Sequence, residues 1–178
     1  TRLVGSEMCI RDRFSELGFI AEDLGLLTPE VHELLEQSGL PGMKVLEFAF
    51  DPKEPSNYLP HRYTQNCVCY VGTHDNAPVM AWLDEADAAE VEFAERYLAI
   101  GDAEGFNWGM IRGGMSSVAS MFIAQMQDFL ALGADARMNT PGTQFGNWRW
   151  RLKSNELTPE LAAKLLDMAK MYGRYPAE

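Results

Sequence analysis

Three short apolar runs, GFIAEDLG, MKVLEFAF and CVCYVGTHDN, end in acids, glycine or a polar turn, and two of the stretches that follow them carry helix-like spacing. Each run has the length of a buried strand. Strands alternating with helices select a parallel sheet, whether open or closed. In a closed parallel arrangement every strand points its C-terminal end at one face, so polar residues far apart in sequence converge there. Glu22 stands at the first of these tips and Asp75 at the third.

The segments between the runs carry their own signals. Thr28 and Pro29 pair as an N-cap and first-turn proline, Val31, Leu34 and Leu35 share a helical face, and Gly39 follows as a stop. A strand is expected from Met43 to Phe50, then DPKEPSNYLPHRY, a proline-rich loop of the kind that carries function at a barrel mouth. A strand from Cys67 to Val71 enters THDN, and Ala77 to Ile100 reads as one helix. A further helix is expected over Ser116 to Leu132, with Val118, Phe122, Ile123, Met126 and Phe129 as its core stripe. DARMNTPGT reads as a short strand and turn, and a last helix capped by Thr158 and Pro159 aligns Leu161, Leu165, Met168 and Tyr172.

About four strands are legible, whereas an eight-stranded barrel takes about 250 residues. The expected fold is therefore α/β, the C-terminal half of a (β/α)8 TIM-type barrel, occupying residues 14–178 as one region of one domain. Residues 1–13 are set aside: VGSEMCIRDR has no periodicity and looks like translated adaptor read-through, a non-native leader.

Composition removes several partner classes. The net charge of -11 over 178 residues, with no cluster of Lys or Arg, repels phosphate backbones and anionic headgroups, so no nucleic acid and no membrane partner is expected. No apolar stretch approaches the roughly 20 residues that span a bilayer, and charges crowd the N-terminus, which reads as cytoplasmic. Cys67 and Cys69 alternate on one strand and suit packed, reduced thiols rather than a disulfide. Three histidines and scattered acids lack metal-ligand spacing, and neither metal nor cofactor is expected.

Two acids at strand tips are what glycosidic-bond chemistry uses: one protonates the leaving oxygen while others manage charge growing at the anomeric carbon. Plainer readings stand beside this one. Glu22 and Asp23 are also suitable helix-start residues, and THDN is also a good Asx-type turn with His74 as a structural histidine. Trp82, Trp108, Trp148 and Trp150 suit sugar faces or an aromatic core equally. His32 and His61 read as a solvated and a loop-packing residue.

Taken in order, FIAEDLGLLTPEV, LPGMKVLEFAF, YLPHRY, GTHDN, RMNTPGT and NWRWR resemble the C-terminal third of the 4-alpha-glucanotransferases, the amylomaltases or disproportionating enzymes of glycoside hydrolase family 77. The resemblance covers Phe19 to Tyr175. It implies an eight-stranded barrel and a retaining transfer of 1,4-alpha-glucan segments between chains, with maltooligosaccharides and alpha-1,4-glucans as partners.

By motif match Glu22 of AEDLG is implied as the general acid/base, a role that calls for a raised pKa of the sort desolvation by Phe19, Ile20 and Ala21 would supply. Asp75 of THDN is implied as a second catalytic carboxylate. His74, Asp51 and Asn139 are implied as substrate-binding groups. The family's nucleophile is an Asp in an R-I-D-H-like motif on the preceding strand, and that motif is absent here, so the chain alone is expected to be inactive. Two departures are visible: Ala77 and Pro78 replace an acid and a threonine after THDN, and Glu47 stands where the family often has Gln. The competing readings are an alpha-amylase-type hydrolase, against which LPGMKVLEFAF and RMNTPGT argue, and a noncatalytic glucan-binding module.

Overall fold

The computed structural model describes residues 18–25, 27–54 and 56–176. The expected leader over residues 1–13 lies outside them. Among the described residues the order is α1 (Pro29–Ser38), β1 (Gly42–Val45), β2 (Cys67–Tyr70), α2 (Val79–Glu85), α3 (Ala88–Leu98), α4 (Phe106–Met115), β3 (Met121–Ile123), α5 (Met126–Phe129) and α6 (Pro159–Met171), with 3-10 turns at Leu46–Phe48, Pro60–Arg62 and Ala134–Ala136.

The three strands form one sheet in the order β1-β2-β3, all parallel. Gly42 pairs with Cys67 and Val45 with Tyr70; Val68 pairs with Met121 and Tyr70 with Ile123. Parallel neighbours need crossovers. The crossover from β1 to β2 is the long proline-rich loop with two 3-10 turns, and the one from β2 to β3 holds α2, α3 and α4. Three strand tips thus point the same way, which is the α/β layout the alternating pattern implied.

Helix ends follow their local chemistry. Gly39 closes α1 at φ 65°, a left-handed conformation that glycine adopts without a Cβ clash. Thr158 caps α6, its hydroxyl accepting from the Leu161 amide at 3.2 Å. Along α6, Met168 is buried and Leu161, Leu165 and Tyr172 are half-buried on the same face, as their spacing required. The core gathers Leu46, Phe50, Val71, Val79, Met110 and Ile111 between the sheet and helices. Trp82 belongs to it, stacked on Phe106 with ring centroids 5.9 Å apart.

Several expected elements differ. The AEDLG run forms no strand: its Ala21 amide bonds the Pro41 carbonyl at 2.9 Å, but the Met43 amide of β1 is taken by the Asp23 carboxylate, which occupies the place of a ladder partner. β1 stops at Val45 rather than Phe50. Leu46, Ala49 and Phe50 are all buried, a helical i, i+3, i+4 set, so the chain turns there. The helix expected over Ala77 to Ile100 breaks at Ala86 and Asp87, where the backbone is extended and a new helix starts.

The largest departure is the segment 116–132. Its helix is absent, and β3 and the four-residue α5 stand there instead. The expected core stripe holds only in part: Phe122 and Phe129 pack against the core, whereas Val118 is 59% exposed and Ile123 37% exposed. The true helix, α4, lies just before and is glycine-rich. Added Cβ atoms at Gly109 and Gly113 would meet Ile100 and Leu98, each at 2.6 Å, so the glycines serve close packing while lowering helix propensity. DARMNTPGT forms a 3-10 turn and a loop rather than a strand.

Candidate functional site

The C-terminal ends of β2 and β3 open into a cavity of about 430 Å³, whose lining includes Glu22, Tyr70, Thr73, His74, Asp75 and Gln125. Glu22 reaches it from the irregular segment beside β1, with Ile20 and Leu24 supplying apolar wall. Its side chain is exposed. Asp23, next in sequence, turns the other way and is buried against Gly42 and the Met43 amide. One acid anchors the segment and the other is left free.

The turn after β2 is built by its own side chains. Asn76 Oδ1 accepts from the Thr73 amide at 2.9 Å and from the Thr73 hydroxyl at 2.7 Å, and the Asn76 amide returns a bond to the Thr73 carbonyl at 3.0 Å. The turn is locally closed as the plainer reading expected, but by a reciprocal Thr73–Asn76 pair and a Thr73 hydroxyl that accepts from the Asp75 amide at 3.3 Å rather than by an Asx turn. It also leaves Asp75 and His74 at the crest, facing the cavity.

A second loop clamps that crest. Asn139 Nδ2 donates to Asp75 Oδ1 at 2.6 Å, and the Asn139 amide bonds the His74 carbonyl at 3.1 Å. Arg137 holds both loops at once, donating to the Asp75 carbonyl at 2.7 Å and the Asn139 carbonyl at 2.9 Å. His74 Nε2 lies 3.2 Å from Asp75 Oδ1. Asp75 thereby keeps one oxygen occupied by an amide while the carboxylate stays about half exposed, oriented yet accessible. Trp148 packs near the His74 ring with centroids 5.1 Å apart. It holds φ 62°, an uncommon conformation for a bulky residue, and its amide bonds the Met138 carbonyl at 2.7 Å.

Four of the five residues singled out in sequence thus meet: Glu22, His74 and Asp75 line the cavity and Asn139 bonds Asp75. Asp51 does not join them. It lines a separate cavity of about 420 Å³ with Lys44, Tyr58 and His32, and its carboxylate accepts from the Lys53 amide at 2.8 Å. His61 pairs instead with the Tyr97 hydroxyl at 2.8 Å. Arg137 and Gln125 were missed. Arg137 sat in the motif RMNTPGT, where its charge was visible but its two carbonyl partners were not.

Below the crest lies a buried acidic layer. Asp128 is fully buried, accepts from the Val79 amide at 2.9 Å and the Gln125 amide at 3.3 Å, and burial pushes its carboxyl up to about 6. Glu47 is also buried, with its carboxyl raised well above the usual range, first by desolvation and then by Asp128.

The arrangement can orient a neutral polyol: two carboxylates, an imidazole, an amide and an aromatic face converge on one open cavity. A family model described as 4-alpha-glucanotransferase matches residues 5–158. The 4-alpha-glucanotransferase of Clostridium butyricum is 47% identical over 166 residues, covering 93% of this chain and 34% of that protein. That of Thermus thermophilus is 46% identical over 168 residues, covering 90% and 34%. The chain spans about a third of the length of these relatives. An amylomaltase from Streptococcus agalactiae, solved in complex with acarbose, superposes with a TM-score of 0.90 at 34% identity, over 96% of this chain and 34% of that one.

Proposed function

The chain belongs to the 4-alpha-glucanotransferase family, and from that premise we propose that it is the C-terminal part of an enzyme moving 1,4-alpha-glucan segments between maltooligosaccharides. In this reading the three parallel strands are part of a (β/α)8 barrel whose remainder, with the nucleophilic Asp, is carried by a longer polypeptide. Alone, the chain has no turnover. The observation that carries the reading is the convergence of Glu22, His74 and Asp75 on one cavity at the strand tips.

Each group has a defined task. Glu22, exposed at the cavity, protonates the departing glycosidic oxygen and later takes the proton of the acceptor's 4-hydroxyl. Asp75, fixed by Asn139 and Arg137, accepts hydroxyl protons of the distorted sugar and favours positive charge on its ring. His74 adds a hydroxyl contact. Asp51 contributes only where a longer glucan reaches the second cavity. Buried free thiols at Cys67 and Cys69 suit a reducing compartment such as the cytoplasm.

The test is disproportionation of maltotriose by the chain expressed together with its upstream coding sequence, followed as glucose release. Glu22→Gln should lower turnover by about 100-fold to 10,000-fold with maltotriose binding nearly unchanged. Unchanged glucose release would sink the assignment. Binding without any turnover in the extended wild-type protein would favour a glucan-binding module instead.

A further inference from the structure

Glu47 takes no part in the chemistry above, yet its surroundings are unusual. It follows β1 in the 3-10 turn Leu46–Phe48, and its amide bonds the Val71 carbonyl at 3.2 Å, so the turn is tied to the end of β2. The residue is 7% exposed, and its Oε1 is buried without a hydrogen-bond partner. The carboxyl group lies flat against Gly72: a Cβ added there would stand 2.7 Å from Oε1 and 2.9 Å from both Cδ and Oε2. Gly72 itself lines the cavity and is followed directly by Thr73, His74 and Asp75. Gly72 has negative φ, so its lack of a side chain answers to that contact and not to a left-handed turn.

We infer that Glu47 is a positioning residue of the site: its carboxyl face is the stop against which Gly72 seats, and that seat fixes where Thr73, His74 and Asp75 stand. The inference rests on the reading above only for the identity of the sugar. It assigns a role to the one carboxylate of the layer with no donor to satisfy it.

The chemistry of the seat requires a neutral acid. The charged groups around Glu47 are Asp128 at α5, Glu85 at the end of α2, and Arg137 in the clamping loop. Asp128 and Glu85 oppose ionisation of Glu47, Arg137 favours it, and desolvation, the largest influence, opposes it. A carboxyl so placed keeps its proton and matches an amide in shape and charge. Losing the proton would leave an unpaired buried anion beside Asp128, and Gly72 would have to move for water to reach it.

The sign follows from linkage. The folded carboxyl holds its proton more tightly than the unfolded one, so its stabilisation is complete below the ordinary glutamate range and is lost as pH rises towards the folded value. Relative to Glu47→Gln, the folding equilibrium constant of the wild-type chain should therefore fall about tenfold per pH unit above roughly 4.3. The slope should level off where folded Glu47 ionises. Through that levelling, the Gly72 amide and Trp148 indole NMR resonances should shift in wild type and stay fixed in Glu47→Gln.

A cycle of Glu47→Ala, Gly72→Ala and the double variant tests the contact itself. Gly72→Ala should reduce the folding equilibrium constant roughly tenfold to a hundredfold, and removing the Glu47 carboxyl should relieve most of that loss. Maltotriose affinity, measured by calorimetry, should be kept by Glu47→Gln, lost in Gly72→Ala and partly regained in the double variant. Additive losses in the folding cycle, or a pH slope unchanged by Glu47→Gln, would overturn the seat. Coupling in folding with unmoved Gly72 and Trp148 resonances would overturn the positioning role. If no chain binds maltotriose, the sugar assignment fails, while the sugar-free measurements still decide the role of Glu47.

Discussion

Replacing Asp128 separates two opposing effects that meet in one side chain. Its two carboxylate oxygens hold the Val79 amide, which starts α2, and the Gln125 amide, which precedes α5, while its carbonyl accepts from Asn107 Nδ2 at 2.8 Å. Asp128→Ala strands both amides. The Val79 amide is fully buried, and a stranded buried donor costs about 1 to 3 kcal/mol; the longer bond to Gln125 is worth less, so the sum is about 2 to 4 kcal/mol.

Against this stands the cost of keeping a carboxylate in the interior. Burial moves the group from its ordinary 3.8 up to about 6, an interval equivalent to about 3 kcal/mol. Because the folded value is raised, that stability is present below pH ~4 and is lost between ~4 and ~6. Asn keeps one acceptor for Val79 and cannot ionise. Asp128→Asn should thus lie within about 1 kcal/mol of wild type at pH 7 and be the less stable of the two at pH 4. Urea unfolding followed by tryptophan fluorescence at half-unit steps from pH 4 to 8 reads both curves. Glu47 adds a slope to each, so the diagnostic is their difference. An Asn variant that falls in parallel with wild type through this window would refute the linkage, and an Ala variant of wild-type stability would refute the strut.

Three smaller tests address the clamp, the packing and the caps. Asn139→Ala removes the 2.6 Å bond to the half-exposed Asp75; unfolding midpoints should barely move, while maltotriose affinity in calorimetry drops about fivefold to tenfold. Gly114→Ala drives a Cβ into the Phe122 ring and to 3.3 Å from Cys69 Sγ; overpacking of about 1 to 3 kcal/mol should outweigh the helix-propensity gain of up to about 1 kcal/mol, and a higher melting temperature would contradict the close approach. Thr158→Ala should lower stability by about 1 kcal/mol, whereas Thr28→Ala, whose hydroxyl makes no capping bond to α1, should cost less in the same calorimetric scan.

What the sequence by itself determined was local and chemical. Alternating apolar runs and helical spacing were enough for a parallel sheet, Thr158-Pro159 and Gly39 for helix ends, and motif order for the acids and amides that belong to one site. These signals survive because they depend on neighbours a few residues away. The tertiary structure decided the rest. Whether Val45 to Phe50 stays extended depended on the end of β2 that Glu47 bonds, and whether AEDLG joins the ladder depended on Asp23 reaching an amide twenty residues later. α4 was hidden because its glycines answer to Ile100, Leu98 and Phe122, side chains that only packing brings near. The place of Asp51 in a separate cavity with Lys44 and Tyr58 was likewise set by how its loop folds. Arg137, Gln125 and Glu47 gained their roles from carbonyls, amides and a bare glycine face, which carry no label in a sequence because every residue has a backbone and only the fold selects which ones meet.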